Sequence, residues 1–340
     1  MLHGHGDDRY RYDKEIVADF STNVWYGGEP AGLKEYVFEH WGKINRYPEV
    51  IGESLRDKIA SHEQLPAEQI LISSGTTESI YLIAQLFAGK RTSIVTPAFS
   101  EYEDACNMYD HQLTFLSWQE ALEQPRLKSD LVFICSPNNP TGKTFPDLEF
   151  WMRLNRQCVF VVDEAFIDFT LATSSYISLI EQFPNLIIMR SLTKAYAIPG
   201  LRLGFMAGYS DMMERLINIK QPWTVNAIAL AAGEFIYDHY EKIQLPLQQL
   251  LADKIDFVEQ LKLNEAIEIE ESETHFFLAK TLIRNAAQLK LFLIENHGIL
   301  IRDASNFRNL TRQHFRLATL GPDKNQLLIN ALEEWKKLYY

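Results

Sequence analysis

Cysteine is scarce in this chain: only Cys106, Cys135 and Cys158 occur in 340 residues. An odd, sparse count gives no disulfide framework and points to a reducing compartment. Long apolar runs are missing too, and no stretch reaches the roughly 18 residues expected of a membrane span. Residues 1–8 lack the basic-then-apolar pattern of a secretory leader. The expectation is a cytoplasmic protein without a membrane partner. Positive charge is in short supply, with 33 Lys and Arg against 45 Asp and Glu, a net charge of −12. Such a surface is a poor one for nucleic acid, although a local basic pocket for a small anion remains open. Internal repeats and low-complexity tracts are absent. What is present is ordinary globular composition, 46% hydrophobic and 23% charged, which excludes a disordered, collagenous or coiled-coil chain.

The length suits one large α/β domain with a smaller companion. The first 45 residues read as irregular. From Ile70 onward, short apolar runs alternate with helical patterns. Strands are predicted at Ile70–Ser73, 92–95, Leu131–Cys135, Val159–Asp163 and 186–190. A further strand at 201–207 is predicted antiparallel. Helices are expected at 76–87, 100–109 and 147–155. Strands that are apolar throughout are buried on both faces, so a mostly parallel sheet with helices on both sides follows. After about residue 211 the chain turns helical, at 224–239 and 245–261. An α+β tail ends it, with strands at 266–270, 275–280, 299–302 and 314–319 and helices at 285–296 and 323–338. The expected division is a large domain over 46–235 and a small one from 1–45 with 236–340.

Four segments carry the chemistry. Ser191-Leu192-Thr193-Lys194 follows a strand and leads to Pro199-Gly200-Leu201-Arg202. A lysine there sits at a strand's carboxyl end, where open α/β sheets bind ligands. A lone lysine reads as a surface residue. A hydroxyl and a guanidinium beside it suit a phosphate near a nucleophilic amine. Ser136-Pro137-Asn138-Asn139-Pro140-Thr141-Gly142 is a rigid turn after another strand. Val161-Val162-Asp163-Glu164 ends a third strand with an acid. Ser73-Ser74-Gly75-Thr76 joins a strand to a helix, where backbone amides can meet an anion or simply be capped.

Together and in this order, these segments resemble the class I/II aminotransferases, pyridoxal-phosphate (PLP) enzymes with an aspartate-aminotransferase-like fold. The resemblance covers almost the whole chain. It implies that Lys194 forms a Schiff base with PLP, that Asp163 pairs with the ring nitrogen and that Asn139 bonds the ring O3′. It assigns the cofactor phosphate to Ser191, Arg202, Thr76 and the Gly75 amide, and ring stacking to Phe99. Tyr47, in Asn45-Arg46-Tyr47-Pro48, matches a tyrosine that reaches the neighbouring subunit's phosphate, which implies a homodimer. Arg316, in Phe315-Arg316-Leu317, matches the clamp for the substrate α-carboxylate. One departure stands out. Many relatives carry Tyr three residues after the Asp, whereas this chain has Phe166, which cannot bond O3′.

The segment Asp163-Glu164-Ala165-Phe166-Ile167-Asp168-Phe169 is most similar to the threonine-phosphate decarboxylase branch, with histidinol-phosphate aminotransferases next. His3-Gly4, Asp19-Phe20-Ser21-Thr22-Asn23 and Gly298-Ile299-Leu300-Ile301-Arg302-Asp303 match as well. Asn23 and Arg302 are therefore candidate substrate residues, Arg302 for a second anion. His3, His5, Arg9 and Arg11 either join it or form a solvated arm. After Asn23 the branch pattern continues Pro-Leu-Gly, but here it is Val24-Trp25-Tyr26-Gly27-Gly28. Those aromatics either reshape the pocket or pack against the arm. The expected activity is transfer of an amino group from a small amino acid or amine, phosphorylated or not, to a 2-oxo acid. Threonine-phosphate decarboxylation is the alternative. A non-catalytic PLP-binding regulator is a remote third, disfavoured because family-like sequence begins by about Asp19 and the chain is acidic.

Overall fold

The computed structural model describes residues 6–339; His3 and His5 lie outside them. The strands are β1 (Ala18–Asp19), β2 (Ile70–Ser73), β3 (Arg91–Thr96), β4 (Gln112–Ser117), β5 (Leu131–Cys135), β6 (Val159–Asp163), β7 (Leu186–Ser191) and β8 (Gly204–Gly208). After them come β9 (Ile267–Ile269), β10 (Phe276–Thr281), β11 (Ile299–Leu300), β12 (Arg302–Asp303) and β13 (His314–Ala318). Seven form the central sheet in the order β2-β8-β7-β6-β5-β3-β4. Only β8 runs against its neighbours, β2 and β7.

Alternation along these strands feeds two cores. Val132, Ile134, Phe160 and Val162 pack on one face of the sheet. Leu131, Phe133, Val161 and Met189 pack on the other. Helices Gly75–Leu86 and Ser100–Met108 cover the second face, while Glu53–Glu63, Leu148–Leu154 and Ala227–Asp238 cover the first. A strand with apolar residues on both sides needs both layers, and the right-handed crossovers of a parallel sheet supply them.

The C-terminal part builds a four-stranded antiparallel sheet, β12-β13-β10-β9, over a core running from Phe257 to Trp335. The N-terminal segment serves both bodies. Ala18 and Phe20 enter the C-terminal core, and β1 pairs with β11. Leu33 enters the large one. Helix Leu247–Leu261 ties them together, with Leu250 in one core and Phe257 in the other.

Three sequence expectations are corrected. The first 45 residues are not wholly irregular, because Leu33–Glu39 is a helix. The strand expected at 201–207 starts at Gly204, since Pro199–Leu201 forms a 3-10 turn and Arg202 follows at φ 60°. The single strand expected at 299–302 is two, one pairing with β1 and the other with β13.

Candidate active site

The carboxyl ends of β2, β3, β5, β6 and β7 face one side of the sheet, and the antiparallel β8 begins there. A cavity of about 1110 Å³ opens at that edge. Every site residue predicted from sequence except Tyr47 lines it.

Lys194 stands in the short helix Leu192–Ala195 directly after β7. Burial, and then the Arg316 and Arg202 guanidiniums, push its pKa down to about 8. A lysine so placed is neutral far more often than an exposed one, and a neutral amine is the nucleophile that carbonyl chemistry needs. Asp163 ends β6 and is buried. Burial pushes its pKa up, while two donors pull it back: Tyr102 Oη at 2.6 Å from Oδ2 and the Ala165 N–H at 2.9 Å from Oδ1. Sequence reading missed Tyr102, although it lies one helical turn after Phe99. It looks like a core aromatic because it is one, stacked 5.1 Å from Phe133.

One end of the cavity is a cradle that a glycine leaves open. Gly75 opens helix Gly75–Leu86 at φ +74°, and a Cβ there would lie 2.5 Å from Arg202 Nη2. Only glycine lets the guanidinium approach this helix terminus. Ser191 Oγ and Thr193 Oγ1 lie 2.8 Å apart at the same end. Phe99 lines the wall. Phe166 fills the position of the missing phenol and packs edge-on against Phe276, 4.9 Å between centroids.

The opposite end is cationic. Arg316 on β13 donates to Asn139 Oδ1 at 2.5 Å and to the Ser21 carbonyl at 2.6 Å, and its Nε is buried without a partner among the described residues. Arg302 sits directly across the strand pair from it. Arg302 donates to the Asp303 carbonyl and to Asn306 Oδ1, the latter at 2.8 Å. Burial lowers the pKa of Arg316 to about 9 and of Arg302 to about 10, and Arg302 adds to the shift of Arg316. Both remain charged at neutral pH. Asn23 is buried beside them, and neither Oδ1 nor Nδ2 has a protein partner among the described residues. A buried amide left unpaired costs about 1–3 kcal/mol, so a ligand that pairs it gains that much.

The arm is partly engaged. Arg9 lines the cavity but pairs with Asp7 at 2.8 Å and Asp19 at 3.7 Å. Arg11 does not line it. Trp25 and Tyr26 stand at the wall, 4.4 Å apart, and the Trp25 N–H donates to the Lys194 carbonyl at 3.0 Å. Tyr47 lies outside, 84% exposed, with its ring 5.0 Å from Trp223. No described helix is long and apolar enough to cross a membrane.

A parallel sheet with a depressed-pKa lysine at its carboxyl edge, a buried acid opposite and an anion cradle between defines a phosphorylated-cofactor enzyme of the PLP kind. Residues 17–332 match the family aminotransferase class I and II, and the chain belongs to that family. PLP is the family's cofactor. The residues present fit it, since Gly75 leaves open the space a Cβ would close against Arg202 and Asp163 is an acid held at depth. The chain is 32% identical to threonine-phosphate decarboxylase of Salmonella typhimurium over 331 residues, 93% of this chain and 90% of that one. It is 28% identical to histidinol-phosphate aminotransferase of Thermococcus kodakarensis, covering 90% and 89%. The solved structure of L-threonine-O-3-phosphate decarboxylase from Porphyromonas gingivalis superposes with TM-score 0.91 at 36% identity, covering 94% of this chain and all of that one.

Proposed function

We propose that this enzyme acts on a small amino acid bearing both an α-carboxylate and a phosphate, and releases the carboxylate as CO2. The observation that carries the reading is the buried arginine pair. Arg302 and Arg316 stand side by side in register, and both line the cavity. Two adjacent buried cations repel, and anions arriving with the substrate relieve that cost. Arg316 takes the carboxylate through its planar fork, and Arg302 takes the second anion. Asn23 adds an amide to the same ligand.

Lys194 would hold PLP, with Asp163 at the ring nitrogen, Asn139 at O3′, Phe99 on the ring face, and Ser191, Arg202, Thr76 and the Gly75 amide at the phosphate. Bound there, PLP supplies an electron sink for a bond breaking at Cα. Asp163 keeps that sink effective by holding a proton on the ring nitrogen. The arginine pair fixes how the substrate turns, and with it which Cα bond stands perpendicular to the ring. Lys194 Nζ, protonated at the expense of the substrate's ammonium group, would return that proton to Cα. A homodimer completes the site through Tyr47, whose exposure in the single chain suits a residue that reaches a neighbour.

Transamination is the second reading. It is favoured by the lowered pKa of Lys194, which leaves a base able to take a Cα proton. Decarboxylation stands ahead because the arginine pair asks for two anions and because threonine-phosphate decarboxylases lead the relatives reported above. The test offers the loaded enzyme carboxyl-labelled O-phosphothreonine, histidinol phosphate and alanine. One labelled CO2 per O-phosphothreonine consumed is expected. Pyridoxamine phosphate without CO2 would establish transamination instead, and equal turnover of alanine would remove the second anion.

A further inference from the structure

The segment after β12 does more than carry Arg302. Asn306 accepts from Arg302 at 2.8 Å, and the Arg302 guanidinium lies 5.2 Å from the Phe307 ring centroid. The next two residues leave the C-terminal body and grip the large one. Arg308 makes a two-pronged contact with Glu103, Nη2 to Oε1 at 2.7 Å and Nε to Oε2 at 3.3 Å. Its guanidinium also lies over Phe115, 3.7 Å from the centroid. Asn309 Nδ2 donates to Thr96 Oγ1 at 2.8 Å. Thr96 ends β3, Phe115 is on β4, and Glu103 follows Tyr102 on helix Ser100–Met108. That helix therefore holds Asp163 through one residue and Arg308 through the next.

We infer that Arg308 and Glu103 form a latch across the cavity mouth that positions Arg302 and so sets the enzyme's affinity for the substrate's second anion. The role rests on the reading of Arg302 given above. Geometry makes the latch firm but openable. The fork and the stacked ring add to a plain ion pair. Yet the two side chains are 43% and 34% exposed, so water competes and the pair contributes only modestly. Neither residue touches the cofactor end, so a broken latch should alter anion binding and spare the cofactor.

Calorimetry with inorganic phosphate on the PLP-loaded enzyme tests this, with the visible absorbance recorded alongside. Wild type should bind phosphate, and Arg302→Gln should lose it. Arg308→Ala and Glu103→Gln should each raise Kd about fivefold, the range of one exposed forked pair. The double variant should be no worse than Arg308→Ala alone, because Glu103 then has no Arg308 contact left to lose. Arg308→Lys, which keeps the charge over Phe115 but not the fork, should fall between. Absorbance should be unchanged throughout. If Arg302→Gln loses phosphate while Arg308→Ala binds as wild type does, the latch is overturned and the two-anion reading stands. If wild type binds no phosphate, or Arg302→Gln binds it unchanged, the two-anion reading fails and the latch falls with it.

Discussion

Asp163 illustrates how single residues divide the work. A carboxylate buried this deeply tends to take up a proton, which, in the pairing proposed above, would cost the cofactor its charged partner. The Tyr102 hydroxyl and the Ala165 amide oppose that by bonding the ionised form. Removing one donor therefore raises the acid's pKa further and weakens its hold on a ring-nitrogen proton. Tyr102→Phe is expected to lower PLP affinity several-fold and to destabilise the fold by about 1–3 kcal/mol, because Oδ2 is left buried and unpaired. Cofactor titration by absorbance and thermal melts check both. Tyr102 also marks where sequence reading ran out. Its role is visible only once helix Ser100–Met108 lies across the sheet, since an aromatic one turn from another reads as packing. Lys194 and Asp163 were placed at strand ends and Asn139 in the turn after a strand, and all three line the cavity there.

At the scale of elements, the strands that were read correctly are the ones with unbroken apolar runs. β2, β5 and β6 match their predicted bounds because Ile-Leu-Ile, Leu-Val-Phe-Ile and Phe-Val-Val are buried on both faces. β4 escaped notice because it is an edge strand, Gln-Leu-Thr-Phe-Leu-Ser, with partly exposed positions alternating along it. Helix Glu53–Glu63 was missed for a similar reason, since only Leu55, Ile59 and Ala60 are buried within it. The turn from β2 into helix Gly75–Leu86 shows how tightly an element join can be specified. Gly75→Ala places a methyl 2.5 Å from Arg202 at a left-handed backbone position. The expected outcome is a loss of about 1 kcal/mol or more in stability. With the cofactor phosphate placed as proposed, PLP affinity should fall at least tenfold, because Arg202 must retreat from it. Equilibrium dialysis against PLP, with a melt on the same sample, measures both.

On the scale of the whole molecule, a chain of net charge −12 concentrates Lys194, Arg202, Arg302 and Arg316 in one cavity, a field that favours small anions. The cavity lies between the sheet of the large body and the C-terminal strands that carry Arg302 and Arg316, and we propose a two-body division near the expected boundaries. Phe38 and Trp41 stack on each other and Tyr47 packs on Trp223, and all four rings are exposed, a surface that suits a subunit contact. A dimer in sedimentation is expected. Mixing Tyr47→Phe with Lys194→Ala should leave, in each mixed dimer, one site with both residues intact; a monomer with full PLP occupancy would contradict shared sites. All of this hangs on one amine. Borohydride reduction of the loaded enzyme, followed by peptide mass mapping, should find the cofactor's mass on the peptide containing Lys194. The label on another lysine, or fully active enzyme left unlabelled at Lys194, would contradict the assignment from which the rest of the site was built.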